Sequence, residues 1–229
     1  MAGNHVQLSR RLKAIADMVT EGNRLVDVGC DHGYLPVYLM LNHKIPGAIA
    51  TDVGKGPLAR AQEHIAEYGM SKYIEARLCD GLQGVRTGEG DTLVIAGMGG
   101  ELIADILSRW DYTENPTVTY LLQPMTRPVH LRQWLYAHRF TLQEERCCRA
   151  NGKLYSVMRA QYTGCPTEET PTALYYGALD FRNDPLAGDY RAQVLGRLQR
   201  RITGLVEAKP TPERDEEFTR ATNLLLTLR

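Results

Sequence analysis

From residue 6 to residue 19 the apolar residues Leu8, Leu12, Ile15, Ala16 and Val19 recur at helical spacing, and a Glu-Gly-Asn turn follows, so an amphipathic helix is expected here. Short β-rich runs come next, at residues 24–28, 47–51, 73–78, 91–96 and 117–122, separated by segments with helical character. This alternation predicts an α/β fold, a doubly wound parallel sheet with helices on both faces. A further helix is expected over residues 127–138. Beyond it, residues 140–148 and 153–162 flank Arg149-Ala-Asn-Gly152, whose Asn-Gly pair predicts an antiparallel hairpin closing the edge of the sheet.

The pattern changes after residue 162. Residues 163–171 are polar and hold two prolines, which places a domain boundary there: residues 1–163 form one unit and 172–229 another. In the second unit Leu195, Leu198, Ile202 and Leu205 fall at heptad-like spacing, as do Phe218, Ala221, Leu225 and Leu228. Thr211 as N-cap and Pro212 as first helical residue would start the second helix. Two helices of about 20 residues, each about 30 Å long, would form a coiled-coil-like α-helical hairpin. Pattern alone leaves open whether it is a packing appendage, a dimer handle or a grip on a substrate. A chain ending near Gly164 is expected to keep its fold, because the strands are complete before that point.

Composition narrows the class without choosing within it. The 229 residues are 43% hydrophobic and 24% charged, which excludes wholesale disorder and fibrous classes. Lys plus Arg and Asp plus Glu both total 27, so any nucleic-acid role must rest on a local basic patch. No run approaches the ~18 apolar residues of a membrane span, and the first residues carry charge where a secretory signal needs an apolar stretch, so a cytoplasmic location is expected. Five cysteines, with no C-x-x-C pair, read as reduced thiols; neither a disulfide framework nor a metal site is spelled out.

The most informative stretch is Leu25-Val-Asp-Val-Gly-Cys-Asp-His-Gly-Tyr-Leu-Pro36, an apolar strand breaking into a loop with Gly29 and Gly33 before a helix. In an open α/β sheet a nucleotide-like ligand binds at the carboxyl end of the first strand, where glycines let backbone N–H groups approach it. The spacing Asp27-x-Gly29-x-Asp31-x-Gly33 is not G-x-G-x-x-G. Carboxylates at 27 and 31 would repel a dinucleotide pyrophosphate and attract a sulfonium with an α-ammonium group, which favours S-adenosylmethionine over NAD. Asp52, 23 residues after Gly29, suits a carboxylate accepting ribose hydroxyls. Asp80, in Asp80-Gly81, is a candidate for the adenine amine or else a simple turn. In Ile95-Ala-Gly-Met-Gly-Gly100 three glycines in four positions read as a bare loop that lets a flat substrate approach, or as a loop that holds phosphate.

These segments together resemble a family. Leu8-Ser-x-Arg11-Leu, Asp27-x-Gly-x-Asp-His-x-Tyr-Leu-Pro36, Asp80-Gly-Leu, Ile95-Ala-Gly-Met-Gly-Gly100, Gln123-Pro and His130-x-Arg-x-Trp-Leu135 are similar to the bacterial tRNA methyltransferases that modify N1 of adenine 22. The resemblance implies a Rossmann-like class I methyltransferase fold, S-adenosylmethionine as donor, tRNA as partner and a C-terminal hairpin that helps hold the RNA. Arg11, Asp27, Gly29, Asp31, His32, Gly33, Asp52, Val53, Asp80, Gly81, Gly97 and Met98 are then the candidate cofactor contacts, with Arg11 facing the cofactor carboxylate.

Adenine N1 carries its own lone pair, so such an enzyme need mainly align it with the methyl group and stabilise a cationic product. Asp31 is the candidate for the second task, accepting a proton from the adenine N6 amine; orienting the methionine end of the cofactor is its other reading. Tyr34, Gly99 and Gly100 are candidates for contact with the base, and Tyr34 or Trp134 for stacking on it. Between residues 122 and 160, Arg127, Arg132, Arg139, Arg146, Arg149, Lys153 and Arg159 face two carboxylates, a local excess of five positive charges that suits RNA phosphates. Arg197, Arg200 and Arg201 on the first C-terminal helix extend that expectation. The competing readings are a methyltransferase for a small molecule, which needs a closed apolar pocket, and a cofactor-binding regulatory module gripping a protein through its hairpin.

Overall fold

A computed structural model describes residues 6–229. In chain order the elements are α1 (Arg10–Met18), β1 (Leu25–Val28), α2 (Tyr34–Leu41), β2 (Ala48–Asp52), α3 (Lys55–Glu67), β3 (Ile74–Leu78), β4 (Thr92–Gly99), α4 (Gly100–Ser108), β5 (Thr119–Thr126), α5 (Pro128–Ala137), β6 (Phe140–Ala150), β7 (Lys153–Tyr162), α6 (Pro171–Tyr176), α7 (Ala187–Glu207) and α8 (Pro212–Leu228). The seven strands form one sheet in the order β3-β2-β1-β4-β5-β7-β6. The first five run parallel, and β7 is antiparallel to both β5 and β6. Asn151 and Gly152 both take positive φ, the conformation a two-residue hairpin turn requires.

Side chains alternate across the strands and supply both faces. Val26, Val28, Leu93, Ile95, Tyr120 and Leu122 pack with α4 and α5, while Leu25, Val94, Leu121 and Val157 pack with α1, α2 and α3. The expected run of strand, helix and edge hairpin is present throughout. One stretch differs: Gly97 and Gly99 belong to a bulged end of β4, where Met98 pairs with Pro124 and Gly99 with Thr126. Glycine lets the strand bend there, so the expected bare loop is a strand end.

The C-terminal helices form the expected hairpin, with Thr211 capping α8 and Pro212 as its first residue. Val194, Leu198 and Ile202 of α7 meet Ala221, Leu225 and Leu228 of α8. The same cluster includes Leu154 of β7, Tyr176 of α6 and Leu179, so the hairpin is packed onto the sheet edge. Arg132 of α5 fastens this junction. Its guanidinium is fully buried, bonds Glu145 through Nε (2.9 Å) and Nη2 (2.7 Å), and donates from Nη1 to the carbonyls of Leu174 and Tyr175. Gly177 passes directly over this pair with φ +57°, where a Cβ would overlap Glu145 Oε1. Arg132 is therefore an interior structural residue; the expectation that it meets RNA phosphate is corrected, because no solvent reaches it. Carbonyls from α6 complete the partners of this buried charge, so part of what holds α5 lies beyond Gly164.

Candidate active site

Strand order turns back between β1 and β4, and a crevice opens outside the carboxyl ends of the strands at that point. The cleft has a volume of about 420 Å³ and is lined by Gly29, Asp52, Val53, Asp80, Gly97 and Met98 among others. Gly29 takes φ +70°, a conformation that favours glycine, and the flexible end of Met98 fills the space beside it, so the β1 loop lies against the end of β4. Asp52 ends β2 with one carboxylate oxygen accepting the Gly54 N–H (2.8 Å) and the other near the Asp31 N–H (3.4 Å). Beside it Val53 is 72% exposed, and Leu102 at the far wall is 48% exposed. A carboxylate flanked by uncovered apolar side chains suits a nucleoside, with hydroxyls for the acid and a flat ring for the apolar walls.

The floor of the site is held by Gln123, which is fully buried. Its Oε1 accepts both Arg11 Nη1 (2.9 Å) and the Gly97 N–H (3.2 Å), tying α1 to the end of β4. Asp27 lies beneath the β1 loop, and its carboxyl is pushed up to about 7, mainly by burial, with Arg11 opposing the shift and Asp52 adding to it. A raised pKa means that the folded state holds this proton where the unfolded chain has lost it. The contribution to stability is therefore full below the unfolded value near 3.8 and is lost as pH rises through about 7. Against an Asp27→Asn variant, the melting temperature of the wild type is expected to fall between about pH 4 and 7 and then level off. A constant difference across that range in calorimetry would show an ordinary carboxyl.

The other expected site residues divide. Asp31, with φ +52°, stands on the rim with its side chain 68% exposed, and its Oδ1 is 3.7 Å from both Arg60 Nη2 and His32 Nε2. Gly81 lines the cleft wall, where a Cβ would press on Ile106. Asp80 lines the cleft too, but Arg109 Nη1 binds it at 2.8 Å and holds its carboxyl below the usual carboxylate range. Asp80 thus faces the cleft while paired to Arg109 at the end of α4. Gly33 caps α2 and faces Ala61 and Ile65, so its role is helix packing. His32 stacks on Tyr34, and Tyr34 in turn meets His64, a row that runs away from the cleft lining.

Gly100 is buried against the Arg127 carbonyl, and Gly99 sits 3.2 Å from Thr126 Oγ1 at its would-be Cβ. These two glycines let the β4 and β5 ends approach each other, and Gly99 stays partly exposed at the end of β4. Trp134 packs against the core and donates its indole N–H to Ser108 Oγ.

The expected basic residues are mostly paired at the surface, Arg146 and Arg159 with Glu144, Arg149 with Asp189 and Arg127 with Glu101, while Arg127, Arg197 and Arg201 line one cavity between α5 and α7. On α7, Arg201 pairs with Glu217 of α8, while Arg197 and Arg200 are exposed. Sequence reasoning missed Arg109 and the apolar wall of Leu102 and Ile106. Those two are one helical turn apart at i and i+4, a signal that reads equally as core.

Among the described residues no group of three or more His, Cys, Asp or Glu is placed to hold a metal, and no helix is long and apolar enough to cross a membrane. A family model described as a methyltransferase domain matches residues 8–158. The tRNA (adenine(22)-N(1))-methyltransferase of Bacillus subtilis is 40% identical over 158 residues, 69% of this chain and 66% of the relative's length. Over almost the full length the fold matches the crystal structure of the B. subtilis M1A22 tRNA methyltransferase, with TM-score 0.82, 29% identity, and coverage of 97% of this chain and 99% of that one. A Streptococcus pneumoniae protein solved in complex with S-adenosyl-L-methionine matches with TM-score 0.79 and 28% identity, covering 97% and 98%. The family match spans the strands and loops that build this cleft, and with it the chain belongs to the methyltransferase-domain family in its Rossmann-like class I form.

Proposed function

We propose that this protein transfers a methyl group from S-adenosylmethionine to N1 of an adenine in tRNA, the adenine at position 22. The carrying observation is the cleft at the β1–β4 switch point, whose lining joins the carboxylates of Asp31 and Asp52 to uncovered Val53 and Leu102. That lining disfavours a pyrophosphate and suits a cationic sulfonium nucleoside. The full-length likeness to the B. subtilis enzyme supports tRNA as the acceptor, and a cytoplasmic location goes with that reading.

When bound, S-adenosylmethionine supplies an electrophilic methyl group. Asp52 would accept hydrogen bonds from the ribose hydroxyls, while Val53, Leu102 and Ile106, which line the same cleft, would hold the adenine ring. Arg11, held by Gln123, faces the carboxylate end. The acceptor adenine would stand at the ends of β4 and β5 with its N1 lone pair toward the methyl group, and transfer would leave S-adenosylhomocysteine as the other product. The product ring is cationic, and its N6 proton becomes acidic. Asp31, on the rim and exposed, takes up that charge.

The test is mass spectrometry of nucleosides from unmodified tRNA incubated with the protein and labelled cofactor. Labelled 1-methyladenosine is expected; a methylated guanine or methylated protein as sole product would overturn the assignment. Asp52→Ala is expected to weaken binding of S-adenosylhomocysteine about tenfold or more, through loss of charge-assisted hydrogen bonds worth about 1.5–3 kcal/mol. Calorimetry that gives equal affinities for the variant and the wild type would remove Asp52 from the site.

A further inference from the structure

Arg11 is a wall between two cavities. On one side it lies against Gly97 and the cofactor cleft, and on the other it lines a second cavity of about 440 Å³. That cavity is formed by the start of α1 and the turn between β6 and β7, segments about 140 residues apart in sequence. Its lining includes three arginines, Arg10, Arg11 and Arg149, together with Tyr155 and Met125, and no carboxylate.

Three guanidinium groups around one open space repel each other, and each is permanently charged. Arg11 donates to the amide oxygen of Gln123, a neutral acceptor, and feels the buried Asp27 from the cofactor side, while Arg10 is exposed and has no carboxylate partner among the described residues. Arg149 is held by one surface pair to Asp189 at 2.7 Å, an interaction worth little that an incoming anion can displace. The first N–H groups of α1 add a positive field at the same end. An anion with several acceptor oxygens relieves all of these at once, and guanidinium forks match phosphate oxygens in pairs.

Location selects the source of that phosphate. Met125 is the residue before Thr126, which pairs with Gly99 at the end of β4, so the cavity opens beside the place where the methyl acceptor must stand. We propose that this cavity binds a backbone phosphate of the substrate RNA next to the target adenine, with Arg10 and Arg149 as its outer ligands and Met125 and Tyr155 against the neighbouring sugar or base. The inference rests on the reading of the protein as a tRNA methyltransferase. It makes Arg11 a shared element: its position depends on the cofactor side and is felt on the RNA side.

The test uses the full chain, an unmodified tRNA transcript and a double variant, Arg10→Gln with Arg149→Gln. Both side chains are exposed, so the fold is retained, and affinity for S-adenosylhomocysteine is expected to stay at the wild-type value. The Kd for tRNA is expected to rise about tenfold, and the slope of log Kd against log salt to flatten by about one for each phosphate that the variant no longer neutralises. A second measurement places single neutral methylphosphonate linkages, one at a time, at the nucleotides flanking the target adenine. One of them is expected to weaken binding to the wild type and to leave the double variant unchanged. Wild-type affinity and salt slope in the double variant, or a methylphosphonate effect that persists in it, overturns the cavity as a phosphate site. A wild-type protein that binds S-adenosylhomocysteine but neither binds nor methylates tRNA overturns the functional reading instead.

Discussion

Replacing Arg132 with alanine is expected to cost about 3–5 kcal/mol, because it leaves the Glu145 carboxylate buried without its counter-charge. In a chain of this size that is a fall in melting temperature of roughly 10 °C. The variant also removes the donor to the part-buried carbonyls of Leu174 and Tyr175. Pairing Arg132→Met with Glu145→Leu is expected to recover part of the loss, since an apolar pair avoids the unpaired charge but not the orphaned carbonyls. Thermal melts of the two variants side by side decide it: equal melting temperatures for the single and double variants would mean that the ion pair is not what holds the junction. A chain cut near Gly164 is expected to resemble the single variant, as it removes the same carbonyl partners.

The largest effect on activity is expected at Asp31. Asparagine there keeps the shape and the backbone φ of +52°, which Asn tolerates as Asp does, but cannot take a proton. The expected result is a fall in kcat of about 10²-fold with little change in affinity for S-adenosylhomocysteine. Single-turnover rates with tRNA, set beside calorimetric affinities, separate the roles. Parallel losses in both would assign Asp31 to orienting the cofactor, and the cationic product would then need another stabiliser.

What could be read from the sequence follows from what each signal depends on. Strands β1 to β5 and the edge hairpin were legible because alternation and the Asn-Gly turn are local properties of the chain. The cofactor loop was legible because a Gly in a strand-to-helix turn and an acid at the end of the next strand sit at fixed offsets. Arg132 was misread because counting charges along residues 122–160 is blind to burial, and the partner that neutralises it, Glu145, was counted in the same sum as a distant carboxylate. Gly100 carries a related ambiguity: a bare position gives room either to a ligand or to another backbone, and the neighbouring Arg127 carbonyl is what fills it here. Short α6 gave no periodicity to detect, being six residues long.

The junction around Arg132 also orders the protein's synthesis. On a ribosome adding about 5–20 residues per second, the strands of the sheet are made before the carbonyls of Leu174 and Tyr175 or the Tyr190 hydroxyl exist. Tyr176 finds its own partner later still, the carbonyl of Leu228 at 3.0 Å. Before α6 and α7 are made, Arg132 has Glu145 and Ser156 as partners but lacks the groups from those helices, so α5 is expected to be held less firmly on the nascent sheet. A nascent chain arrested near residue 165 should accordingly be cut readily by protease around α5, whereas release after residue 228 should confer protection in one step.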